Sequence, residues 1–312
     1  MNELFTSKTH TLHAIFHSAD DYMNSSRRTF LKTSGFLATG VVISGTSLLN
    51  SRNTARQETM PFGLQLFTLR DVIADNPRDV IGQLADFGYK QIESYEGPMG
   101  MYWGMGNTGF KTFLDELGLT MISSHANVFD DFERKADKAA EIGVRYLICP
   151  SIRGRIGSEG TLDDYRRMAD TFNEIGQVAK NAGISFAYHN HAYSFHEMEG
   201  EIPQRVLMDN TDPDLVEYQM DIYWVVAGGH DPEEWIRAHP NRFTSSHVKD
   251  MINGDHIEST VLGTGMIDFP PILSLAKENG MKYFIVEQEA YTGTTPIDAV
   301  RKNADYMKNL RI

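Results

Sequence analysis

The sequence has a single cysteine, Cys149, in 312 residues. One thiol excludes an internal disulfide framework and a Cys-rich zinc module. Positive charge is also scarce, with 29 Lys/Arg against 42 Asp/Glu and a formal net charge of −13. Residues 1–60 hold six Lys/Arg and four Asp/Glu, so the rest of the chain carries −15. A surface that acidic repels phosphate backbones, which argues against a nucleic-acid partner and leaves small neutral ligands open. The composition is otherwise globular, 41 % apolar and 23 % charged, which excludes extended disorder. The length suits one α/β barrel, a fold that often runs to about 250 residues as a single domain.

The first sixty residues read as an address. Ser26-Arg27-Arg28-Thr29-Phe30-Leu31-Lys32 precedes a weakly apolar stretch from Thr33 to Gly45. That stretch is too short to cross a bilayer as a permanent helix. A positive segment followed by a short apolar one is a signal-peptide pattern. The S-R-R-x-F-L-K run matches a twin-arginine export signal, a route that carries folded proteins. We expect residues 1–60 to be signal and linker, cleaved between Ser44 and Arg56. Met23, four residues ahead of Arg27, is an alternative start. The expected location is periplasmic, with no stable membrane insertion after processing.

From Pro61 onward, short β-rich runs alternate with longer helical patterns, as in βα units around a parallel sheet. Candidate strands are Phe62–Phe67, Tyr89–Ser94, Thr120–His125, Tyr146–Pro150, Ser185–Asn190, Val216–Asp221, Phe243–Val248 and Tyr283–Gln288. Asn76-Pro77 opens a helix and Gly88 closes it. After Thr161, Leu162, Tyr165, Met168, Phe172, Ile175, Val178 and Ala182 recur as one apolar stripe, and Gly183 ends it. Asp231-Pro232-Glu233-Glu234 joins a cap, a first-turn proline and acids suited to the helix dipole. The last helix starts near Thr295-Pro296 and runs to about Leu310. Eight units without an internal linker predict an α/β fold, a (β/α)8 TIM barrel over 61–312; an open doubly wound sheet is the alternative. Gly104-Met105-Gly106-Asn107-Thr108-Gly109 matches G-x-G-x-x-G. It lies about ten residues past the strand end, and no acid ends the next strand, so it reads as a flexible loop.

Barrel chemistry sits at the C-terminal ends of the strands. Those ends carry Glu93, His125, His189 with His191, Asp221, His247 with Lys249 and Asp250, and Glu287 with Glu289. Burying so many charges unpaired would cost several kcal/mol each. A divalent cation resolves that cost by accepting carboxylates and imidazoles at about 2.0–2.2 Å. The sequence therefore predicts one M²⁺ in the mouth. Arg153 and Arg155, after the fourth strand, read as a solvated loop; Cys149 reads as a small core residue.

The run Gly63-Leu64-Gln65-Leu66-Phe67-Thr68-Leu69-Arg70, with Ile92-Glu93-Ser94-Tyr95, Tyr188-His189-Asn190-His191, Met220-Asp221-Ile222-Tyr223-Trp224, His247-Val248-Lys249-Asp250 and Val286-Glu287-Gln288, resembles the xylose isomerase-like TIM barrels, the sugar phosphate isomerases and epimerases. The resemblance implies one divalent ion (Mn, Mg, Co or Zn) held by residues of the last four strands. By position Asp221, His247 and Glu287 match three of the four ligands. His189 stands where relatives carry a carboxylate, so the fourth position falls to His189, to His191 or to no side chain at all. The implied activity is sugar isomerisation or epimerisation by proton abstraction next to a carbonyl, through a metal-stabilised enediolate, with Glu287, His189 and Lys249 catalytic. Glu93, His125, His191 and Trp224 are expected to bind substrate. Two alternatives are a lyase or dehydratase on a 3-keto sugar or glycoside, and a non-catalytic sugar-binding barrel. The implied partner is a small carbohydrate, and the family is often homo-oligomeric.

Overall fold

Eight parallel strands close on themselves in a computed structural model that describes residues 60–312, apart from 158, 159, 253, 255 and 256. The expected export segment lies outside the described residues. The barrel strands are β1 Gly63–Gln65, β2 Gln91–Tyr95, β3 Thr120–His125, β4 Tyr146–Cys149, β5 Ser185–His189, β6 Val216–Asp221, β7 Phe243–Val248 and β10 Tyr283–Val286. β1 pairs with both β2 and β10, which closes the ring. Between β7 and β10, Asp250–Met251 (β8) and Ser259–Thr260 (β9) form a small antiparallel ribbon. This is the (β/α)8 barrel expected from the alternation.

The strands are short apolar runs because both of their faces are covered. On β4, Leu147 and Cys149 face the helix-side core, while Tyr146 and Ile148 join Ile122, Ala187 and Tyr283 in a separate cluster. The alternation puts that second cluster inside the barrel, where it plugs the space beneath the mouth. Above the plug the inward positions turn polar.

Two register shifts prepare that change. One falls between Ile92 and Glu93 against β3, the other between Tyr218 and Gln219 against β7. Bulges re-aim the side chains that follow them. Here Glu93 and Gln219, each the first residue past its shift, meet across the barrel at 2.7 Å. β1 stops at Gln65 rather than Phe67. The Gln65 side chain accepts the Phe67 N–H at 3.0 Å and starts a 3-10 turn, Leu66–Leu69.

Helix boundaries follow their caps. Asn76 caps Pro77–Phe87, and Gly88 ends it at φ 104°. Thr161 and Asp164 form a capping box on Leu162–Ala182. The stretch expected to be a flexible loop instead contains the start of a helix, Gly106–Glu116. Buried Trp103 donates from Nε1 to Ser94 Oγ (3.1 Å) and anchors the excursion to β2.

Gly176 lies where Leu162–Ala182 crosses the entry to β6. An added Cβ there would stand 2.4 Å from the Leu215 carbonyl, whereas at Gly82 it would meet nothing within 4 Å. Gly176→Ala is expected to destabilise by about 1–3 kcal/mol. Gly82→Ala, in mid-helix, is expected to stabilise by about 0.5–1 kcal/mol. Urea unfolding of the two variants checks both signs.

Candidate metal centre and active site

β5, β6, β7 and the residue after β10 bring His189, Asp221, His247 and Glu287 together. Their ligand atoms all lie within 4.8 Å of one another, and all four residues are buried. Local structure fixes each one. Asn190 exchanges two hydrogen bonds with the Asp221 backbone (3.0 and 3.1 Å), locking the end of β5 to that of β6. Asp221 Oδ1 accepts the Trp224 N–H (3.1 Å) and caps helix Ile222–Ala227. Oδ2 is left facing His189 Nε2 at 3.3 Å.

That pair decides what the site can hold. His189 Nδ1 points at the Pro150 carbonyl (3.3 Å), an acceptor, which places the ring proton on Nδ1. His189 Nε2 then presents a lone pair to a carboxylate oxygen. Both atoms are buried, and neither has a hydrogen-bond partner among the described residues. Two opposed lone pairs in a dry site are what a cation would bridge. A divalent ion fits this donor set of two imidazoles and two carboxylates.

His247 has its other face backed by a carboxylate. Its Nδ1 faces Glu287 Oε2 (3.0 Å) and Asp221 Oδ2 (3.7 Å), while Nε2 faces Glu93 Oε1 at 2.5 Å. Carboxylate backing of a ligand imidazole sets its tautomer and orientation. Glu93 is itself saturated. Gln65 donates to Oε1 (2.8 Å), and Ser123 and Gln219 donate to Oε2 (2.5 and 2.7 Å). Glu93, His125 and His247 also cluster closely enough for a second ion. The Glu93 oxygens are already spent, so this trio is a hydrogen-bonded brace.

The same brace orients His125. Gln219 gives its N–H₂ to Glu93, so its carbonyl oxygen faces His125 Nε2 at 2.8 Å. Nε2 therefore carries the proton, and Nδ1 is the basic nitrogen. Burial would raise the Glu93 pKa, but His125 and His247 outweigh it and draw the carboxyl down to about 2. Burial lowers His125 to about 4 and His191 to about 3, leaving both imidazoles neutral near pH 7.

Lys249 stands behind the cluster. Burial opposes its charge, but Glu287, Asp221 and Glu289 hold its pKa above the usual lysine value. Its ammonium donates to Glu289 (2.7 Å) and Glu287 (3.2 Å) and lies about 5 Å from the ring centres of Tyr223 and Trp224. Asp250 does not pair with it. Its carboxylate instead accepts four backbone N–H groups, from Met251, Gly263, Gly265 and Ile267.

A cavity of about 480 Å³ opens over the cluster. His125, His189, His191 and Glu287 line its inner end, and Phe67, Tyr95, Glu96, Asn127 and Phe129 line it further along the loops. Glu93, Lys249 and Trp224 lie outside that lining. His191 sits past the end of β5, its ring stacked on Tyr193 (5.5 Å, 15°). Sequence reasoning did not single out Gln65, Ser123 or Gln219. Gln219 lies two residues before Asp221 on the same strand face, a spacing that could have flagged it.

The xylose isomerase-like TIM barrel family matches residues 81–310, and the chain belongs to that family. The chain is similar to the inosose dehydratase of Clostridium perfringens, 29 % identical over 165 residues, 47 % of this chain and 54 % of the relative. The inosose dehydratase of Geobacillus kaustophilus matches at 25 % over 252 residues, 67 % of this chain and 79 % of the relative. The chain thus spans about half the length of several curated relatives it matches. A sugar phosphate isomerase/epimerase from Parabacteroides distasonis superposes with a TM-score of 0.67 at 30 % identity, over 82 % of this chain and 96 % of that one.

His189→Ala and Asp221→Asn are each expected to lose stoichiometric divalent metal on elemental analysis. Retention by both would remove the site. Glu93 is stabilising above its free pKa of 4.5, and that contribution fades as pH falls toward 2. Glu93→Gln is expected to lower stability near pH 7 and flatten the acid limb between those values, read by thermal unfolding across pH.

Proposed function

We propose that the protein is a divalent-metal-dependent lyase that removes water from a keto polyol, a keto sugar or keto cyclitol, after taking the proton next to the carbonyl. The observation that carries this reading is the unpartnered His189 Nε2 facing Asp221 Oδ2 beneath the cavity. A divalent ion held by His189, Asp221, His247 and Glu287 would supply Lewis-acid polarisation of the substrate carbonyl and its neighbouring hydroxyl.

The chain's own residues divide the remaining work. Glu287 lines the cavity, with Oε2 engaged by His247 and Lys249. Its other oxygen serves as the base for the α-proton. Lys249 positions Glu287 and keeps it ionised. His125 and His191 lie at the same end of the cavity as neutral imidazoles and hydrogen-bond the substrate hydroxyls, while the proton taken up by Glu287 passes to the departing hydroxyl, which leaves as water.

Elimination is favoured over a symmetric two-carboxylate proton shuttle because an imidazole, His189, stands on β5. The similarity to inosose dehydratases supports the same outcome. Isomerisation or epimerisation, the outcome expected from sequence, is the second reading, favoured by the Parabacteroides relative. Export by the twin-arginine route to the periplasm is supported by Ser26–Lys32 and argues for an unphosphorylated substrate.

Turnover of keto sugars and keto cyclitols in D₂O separates the outcomes. An unsaturated ketone absorbing in the near ultraviolet supports the lyase; deuterium entry at carbon with full retention of water supports the second reading. Glu287→Gln is expected to cut turnover by about 10²- to 10⁴-fold. Arg27→Lys with Arg28→Lys is expected to leave the precursor in the cytoplasm on fractionation.

A further inference from the structure

The outer half of the cavity is built differently from the inner half. Phe67 is 36 % exposed, yet it is not a loose surface side chain. Its ring lies under the Arg70 guanidinium (4.8 Å) and edge-on to Tyr95 (5.3 Å, 85°). Arg70 is in turn tied to the Glu289 carbonyl (2.8 Å), and Tyr95 is braced by buried Trp103 (5.3 Å, 81°). Phe129 lies under Arg155 at 4.4 Å. An aromatic ring held in place while about a third of its surface stays open to a cavity forgoes burial worth about 0.5–1 kcal/mol unless a ligand covers it.

Polar groups stand among these rings. The Glu96 carboxylate lines the cavity, oriented by Lys135 (2.9 Å) and the Asn127 N–H (2.8 Å). Asn127 and Ser151 line it as well. Tyr95 ends β2, and Phe67, Glu96, Asn127, Phe129 and Ser151 lie one to four positions beyond the strand ends of the first half of the barrel. The candidate ligands lie on the second half. One cavity therefore joins a charged inner end to an aromatic outer end with a few fixed acceptors.

Its size exceeds one ring. A hexose has twelve non-hydrogen atoms, about 360 Å³ at the loose packing of water, so a cavity of about 480 Å³ seats one ring whole and the near edge of a second that extends past the mouth. The apolar C–H face of a pyranose complements the electron-rich face of an aromatic ring, and its hydroxyls complement a carboxylate and an amide at the rim.

We propose that Phe67, Tyr95, Phe129 and Glu96 form a subsite for a second sugar ring, so that the substrate is a glycoside whose keto ring occupies the inner end. This rests on the reading of the inner end as the reacting site. The exposed Phe67 face carries stacking, and Glu96 accepts hydroxyls of the second ring.

Calorimetric titration tests the subsite without turnover. The probes are glucose, cellobiose, maltose, trehalose and 4-nitrophenyl β-D-glucoside, added to the full-length protein, with metal content measured on the same sample. At least one disaccharide is expected to bind about tenfold more tightly than glucose, and Phe67→Ala and Phe67→Leu are each expected to abolish that advantage while leaving glucose affinity within about twofold. Equal affinity for glucose and every disaccharide overturns the proposal, as does tightening confined to the aryl glucoside or a Phe67 effect equal on both sugars. A disaccharide preference in protein that holds no metal would sink the lyase reading alone. Full metal occupancy without a ring preference would sink the subsite alone.

Discussion

Three carboxylates, those of Asp221, Glu287 and Glu289, face one ammonium group, Lys249, in the barrel mouth, and a fourth, Glu93, lies on the other side of His247; Glu93, Asp221 and Glu287 are almost wholly buried. Such a cluster cannot keep its charge in a dry site without more positive charge, because each unpaired ion there costs several kcal/mol. Without a cation His247 holds a proton between Glu93 and Glu287, its pKa raised because burial opposes the charge and Glu287 and Glu93 overcome it; a bound ion would take the place of the proton on Nδ1. That leaves Asp221 Oδ2 and His189 Nε2 facing each other unsatisfied. One divalent ion would remove the excess negative charge and the opposed lone pairs together.

Much of the surrounding architecture holds that arrangement rigid. The bulges on the β2 and β6 edges turn Glu93 and Gln219 inward. Glu93 then anchors His247 on one side and His125 on the other through a chain whose donors and acceptors are fully assigned. Ligand geometry and the placement of a cavity imidazole therefore share one support. The Asn190–Asp221 exchange does the same for β5 and β6. Removing either support should disturb more than one side chain, so its effects will not add simply with those of its neighbours.

The barrel was legible because its signals are local. Asn76, Thr161 and Thr295 cap helices where the sequence placed them, and Gly88 and Gly183 end two of them at positive φ. A cluster of acids and imidazoles at the mouth was legible because chemistry in this fold collects at strand ends, and the resemblance to the xylose isomerase-like barrels singled out the four ligand candidates among them. The choice between His189 and His191 was not legible, since both share strand parity. Coordinates separate them because β5 stops at His189 and His191 turns out onto Tyr193. The Glu93 brace was hidden because it depends on two bulges that alter parity, and a bulge leaves no periodic trace. The helix at Gly106 was missed because its anchor, Trp103 on Ser94, is a tertiary contact overriding a glycine-rich stretch.

The account stands on one cation among four named atoms. Anomalous diffraction from crystals grown with Mn²⁺ locates it directly. A single strong peak within about 2.0–2.3 Å of His189 Nε2, Asp221 Oδ2, His247 Nδ1 and Glu287 Oε2 is predicted. A peak placed instead between Glu93 and His125, or none in the mouth at saturating metal, would contradict it.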